Sequence, residues 1–182
     1  MIGFAVVAAL AAACTRDPAT AECPDIGVGD LVVTEVQGPQ TDETQPVWIE
    51  LYNASSSPID LEGTRIRFRR KDGSTEVPVI VRRSVTVAGG SYIVLGLVDD
   101  EMRPDYISYG FLGDFHVTFL AAAAIDVEAC GTLIDRATYD ALPKTGSHSL
   151  GTSPPNSDDN DVPASWCDQP TATPGQANPT CP

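Results

Sequence analysis

Few side chains in this sequence could carry out chemistry. The two histidines are His116 and His148. His148 stands in GSHSL between Ser147 and Ser149, residue types that elsewhere supply a nucleophile and its base. Such a pair also needs an orienting carboxylate and oxyanion donors, and the chain has neither a G-x-S-x-G elbow nor an H-E-x-x-H helix. His116 lies in the apolar run FHVTFL (115–120) and reads as a partly buried packing residue on a strand. Glu50 and Asp60 have no evident partner carboxylate in sequence. The residues point away from an enzyme.

Charge offers two further sites. Asp158, Asp159 and Asp161 in SDDND (157–161), and the carboxylates of DDE (99–101), are calcium-type ligands. Calcium takes roughly six to eight oxygens at about 2.3–2.6 Å, which flexible acidic loops can supply. The D-x-D-x-D-G order of an EF-hand is absent, so solvated turns with side-chain capping are the preferred reading. No other cofactor is implied. Seven of the eleven lysines and arginines fall between positions 65 and 83, namely Arg65, Arg67, Arg69, Arg70, Lys71, Arg82 and Arg83. In RIRFR the arginines alternate with Ile66 and Phe68, which places them on one strand face. That face could meet a polyanion such as lipopolysaccharide phosphate, acidic polysaccharide or an acidic protein. The preferred alternative is a solvated face paired with Glu62, Asp72 and Glu76, or an edge strand charged against aggregation. A net charge of -14 opposes whole-surface attraction to nucleic acid, and no nucleic-acid partner is expected.

The amino terminus carries an address. Ile2 to Ala13 is an uncharged apolar run, too short for a bilayer, which takes roughly 20 residues, and suited to a secretory signal. The five cysteines are Cys14, Cys23, Cys130, Cys167 and Cys181, an odd number. If Cys14 is consumed by lipid, four remain for two disulfides in an oxidising compartment. A plain secretory signal, leaving Cys14 as an odd thiol, is the alternative. LAAAC (10–14) resembles the lipobox of bacterial lipoproteins. That resemblance implies an acylated Cys14 at the start of the mature chain. With Thr15 rather than Asp following, it implies an outer-membrane residence facing the periplasm or cell surface. Residues 15–22 would then tether the domain within roughly 30 Å of the bilayer.

These groups must be positioned by short strands. LVVTEV (31–36) is β-branched. VWIELYN (47–53) sets Val47, Ile49 and Leu51 against Trp48, Glu50 and Tyr52 with a period of two. TRIRFRRKDGSTEVPVIV (64–81) reads as two strands around Asp72-Gly73. SVTVAGGSYIVLG (84–96) repeats that pattern around Gly89-Gly90, and FHVTFL and TLIDRATYD (132–140) follow. The alanines at 121–124 read as extended, since strand-like segments flank them. The expected architecture is an all-β sandwich.

WIELYNASSSPIDLEGTRI (48–66), VTVAGGSYIVLG (85–96) and SDDNDVPASWCDQPTATPGQAN (157–178) together resemble the lamin tail domain. The resemblance implies an immunoglobulin-like β-sandwich. The expected organisation is a signal peptide (1–13), a lipidated cysteine and tether (14–29), and one domain (30–182). Cys23 and Cys181 lie at its two ends, and chain termini often approach one another. Of three connectivities, Cys23 with Cys181 and Cys130 with Cys167 is therefore preferred. The functional expectation is a non-catalytic, lipid-anchored envelope protein that binds or scaffolds. Its rival is a secreted calcium- or glycan-binding adhesion module.

Overall fold

Turn residues punctuate this chain every few positions, and the computed structural model, which describes residues 23–42, 45–120 and 122–182, answers with short strands. They are β1 (Leu31–Gln37), β2 (Trp48–Asn53), β3 (Ile59–Asp60), β4 (Arg65–Arg69), β5 (Val77–Ile80), β6 (Thr86–Val87), β7 (Tyr92–Gly96), β8 (Tyr109–Gly110), β9 (Ala123–Ala129), β10 (Thr132–Tyr139), β11 (Ser147–Leu150) and β12 (Trp166–Gln169). A one-turn helix, α1 (Ser157–Asn160), and a 3-10 turn (Pro163–Ser165) precede β12, and another 3-10 turn (Leu112–Asp114) follows β8. One sheet has the order β12-β11-β1-β2-β7-β8, a second has β10-β9-β4-β5, and β3 pairs with β6. The fold is an all-β sandwich.

Period-two patterning explains the layers. Ile49 and Leu51 of β2 and Ile93 and Leu95 of β7 face inward, meeting Ile66, Phe68, Ile125 and Val127 of the second sheet in one buried cluster. Asp72-Gly73 turns the chain between β4 and β5 as its residue types require, with Gly73 at φ +83°. Cys130 and Gly131 (φ +53° and +79°) make the tight turn between β9 and β10, both at positive φ.

Some expectations change. Gly89-Gly90 is a turn, but β6 before it pairs with β3 and β7 after it pairs with β2, so the segment is a crossover between sheets. FHVTFL is irregular chain. Its Phe115 and Phe119 drop into the core at a centroid distance of 5.8 Å, beside Phe68. His116 between them is exposed, because apolar residues four apart leave the intervening ones facing water.

The disulfides join Cys23 to Cys130 and Cys167 to Cys181, correcting the expected Cys23–Cys181 and Cys130–Cys167 pairing. The reason is local. The amino-terminal segment runs beside the β9–β10 hairpin, with the Gly29 amide donating to the Ile134 carbonyl. The carboxy-terminal segment returns to β12, where Cys181 Sγ lies 3.5 Å from the Ser165 carbonyl oxygen.

Candidate functional site

The outward face of the six-stranded sheet is itself covered, and that cover builds the site. On β2 the residues opposite to the core side are Trp48, Glu50 and Tyr52. On β1 simple alternation would send Glu35 inward with Leu31 and Val33. A bulge between Val33 and Glu35 inserts Thr34 and resets the pleat, so Glu35 pairs with Glu50 and shares its face. Glu35, Glu50 and Thr34 are all fully buried. The partner carboxylate that the sequence did not reveal for Glu50 is therefore Glu35.

Over this pair lies the carboxy-terminal segment 170–182, a strap held by hydrogen bonds. Glu50 accepts from the Gly175 amide and the Thr34 hydroxyl, each at 2.7 Å. Glu35 accepts from the Thr173 amide at 3.1 Å and from Ser149 Oγ at 3.1 Å, and the Ser147 hydroxyl also donates to it. Asn178 Nδ2 donates to the Thr34 carbonyl at 2.9 Å. Cys167–Cys181 closes the strap covalently. Among the described residues no cationic side chain is bonded to either glutamate. Burial, helped by the nearby Glu35, raises the Glu50 carboxyl to about 8 against the opposing pull of its hydrogen bonds. Burial raises Glu35 as well.

The strap's other side lines a cleft of about 480 Å³. Trp48, packed with Val94 and Ile107 in a small second core, lines it together with Gln37, Gln40, Gln45 and Tyr106. Gln37 is 1% exposed; its Nε2 donates to the Pro46 carbonyl at 2.9 Å, and its Oε1 has no hydrogen-bond partner among the described residues. None of these residues carried a motif. Only the polar run QGPQTDETQP between two strands could have drawn attention to them.

The residues singled out from sequence lie elsewhere. Cys14 falls outside the described residues. Arg65, Arg67 and Arg69 do share the outer face of β4, while Ile66 and Phe68 are buried. Arg67 pairs with Glu76 and Glu128, Arg69 with Asp126, and Lys71 with Asp140. Arg65 and Arg70 are exposed. The face is thus a lattice of ion pairs in which Asp126 also receives Arg136. Arg82 and Arg83 pair with Asp114 and Asp100.

Asp158 and Asp159 sit in α1, where the Asn156 side chain accepts from the Asp159 amide, and Asp161 follows as its cap. Among the described residues no group of three or more His, Cys, Asp or Glu side chains is placed to hold a metal ion. His148 stacks on Trp166 at 5.3 Å and bonds Asp168 through Nδ1 at 2.8 Å. Ser147 and Ser149 point to the opposite face, toward Glu35, so neither hydroxyl meets the imidazole.

What the arrangement can do is bind: a shaped polar cleft lies beside the strap, and the neighbouring acids are engaged in bracing that strap. Compared with protein-family models and with curated proteins, the chain matches none.

Proposed function

We propose that this chain is a non-catalytic binding domain, exported and held at the outer membrane by lipid on Cys14, facing the periplasm or cell surface. The observation that carries the binding role is the cleft of about 480 Å³ beside the strap. The export role is supported by two disulfides, which persist in oxidising compartments. Attachment through several acyl chains is durable because each buried methylene contributes about 0.8 kcal/mol.

In this reading the domain is a lamin-tail-type immunoglobulin-like sandwich. Supporting it, the segments that carry the resemblance touch one another. Glu50 of WIELYN accepts from Gly175 of TPGQAN, and Asn53 of the same strand donates to the Val87 carbonyl in VTVAGG. The partner is an envelope polysaccharide, lipopolysaccharide or another envelope protein.

Two experiments test the reading. Labelled palmitate should enter the protein in its host, and Cys14→Ser should abolish labelling and release the protein from membranes; unlabelled, soluble wild-type protein overturns the anchor. A photo-crosslinking amino acid at position 106 should form an adduct in intact cells that the same group at half-buried Glu62, outside the cleft lining, does not. No adduct at position 106 overturns binding at the cleft.

A further inference from the structure

We propose that the cleft takes a neutral, hydroxyl-rich saccharide; this rests on the binding role above and names its ligand class. Volume comes first: about 480 Å³ lies within the roughly 300–1,000 Å³ usual for small-ligand clefts, enough for a short stretch of sugar rings.

Charge then narrows the ligand. Among the described residues that line the cleft there is no lysine or arginine, so a phosphate, sulfate or uronate would enter without a counter-charge, on a chain of net charge -14. Asp42 is the lone described carboxylate in the lining, too few for a divalent cation, which takes several oxygen ligands. A neutral ligand fits the described lining best.

Hydrogen-bonding chemistry narrows it further. Gln40 and Gln45 present two amides at accessible positions, each with a donor end and an acceptor end. A sugar hydroxyl is also donor and acceptor at once, so neighbouring hydroxyls on a ring match an amide end for end. At Gln37 the orientation is set, because Nε2 is committed to Pro46 and the carbonyl end lacks a donor. Gln37 is 1% exposed and that oxygen is sealed from the cleft, so this side chain shapes the wall rather than meeting a ligand. Nearby, Tyr106 is 36% exposed with Pro104 and Pro174 in the same lining. These flat apolar surfaces suit the C–H face of a pyranose ring.

The test uses the full-length protein in detergent, titrated by calorimetry with neutral tetrasaccharides of glucose, N-acetylglucosamine, mannose and galactose. Polygalacturonate and a proline-rich decapeptide serve as comparison ligands. At least one neutral tetrasaccharide should bind. Tyr106→Ala should weaken it about tenfold, whereas Tyr106→Phe should keep it. Gln45→Ala, at an exposed lining position, should weaken it several fold. Should that variant fold poorly, Gln40→Ala, at a half-exposed position, provides the second reading with a loss of several fold.

Tetrasaccharide affinity that Tyr106→Ala leaves unchanged overturns the assignment to this cleft. Binding of polygalacturonate or the peptide in place of every neutral sugar overturns the ligand class. In that last case an adduct at position 106 would still stand, so the ligand and the binding role fail separately.

Discussion

The two sheets each turn an outward face that contains buried carboxylates, and the two faces hold them in opposite ways. On the four-stranded sheet Asp126 is 1% exposed. Burial alone would raise its carboxyl, but bonds from Arg136 and Arg69 outweigh that and hold it below the usual range. On the six-stranded sheet the described donors to Glu50 are neutral, and burial raises it to about 8. One face stays open because its charges neutralise one another at the surface. The other is roofed, and its buried acids take bonds from neutral donors that oppose the rise without cancelling it. The strap supplies some of those donors, and the cleft is a by-product of the roof. A polar face can be stabilised by charge pairing or by covering, and only covering leaves a concavity.

Substitutions can break this contrast in graded steps. Trp48→Ala removes the tryptophan of the small outer core and should destabilise the protein by about 3–5 kcal/mol in chemical denaturation. Replacing both Cys167 and Cys181 by serine opens the strap's closing loop, of sequence separation 14, and should cost about 3 kcal/mol. Proteolysis should then cut first within 170–180. Asp126→Asn leaves two arginines short of their shared carboxylate; a loss of about 2 kcal/mol is expected.

The pH dependence distinguishes the faces by sign. Glu50 titrates at about 8 in the folded protein and near 4.5 unfolded, so the unfolded chain loses its proton first as pH rises. Its stability contribution is full below about 4.5 and is lost as pH climbs through about 8. Glu35, and Asp135 at about 6, are raised in the same direction. Melting temperature should therefore fall between about pH 5 and pH 8, and Glu50→Gln should flatten the slope. Asp126 works the other way, giving stability above its ordinary value that acid removes. The smallest effect belongs to Arg67→Ala. Its pairs with Glu76 and Glu128 are partly exposed, and removal should cost about 0–1 kcal/mol, less in salt.

Residues 47–53 show how much was readable in advance. Their alternation predicted both the strand and its two faces, and Asp72-Gly73 predicted its turn, because these signals are local. Glu35 was hidden since a one-residue bulge, created by pairing with β2, inverts the face that alternation assigns. FHVTFL misled for a related reason: four apolar residues in six fit a buried strand as well as a loop whose phenylalanines fill a gap. Cysteine pairing depends on where segments far apart in sequence come to rest. The arginine alternation was legible, but its acidic partners at 126 and 128 lie on a strand some sixty residues away. The cleft was the least legible, being made by three loops and the strap.

The Cys23–Cys130 bridge has a mechanical consequence. It gathers residues 23–130 into a covalent ring, and Cys167–Cys181 makes a smaller one near the end. Force applied between the two ends of the domain passes across both rings through sulfur, so only residues 131–166 can pay out as slack. β1 and β2, which hold the carboxylates and part of the cleft lining, lie inside the larger ring. Tension from an attachment upstream of Cys23 would stretch the chain around the candidate site while leaving those two strands shielded from the load.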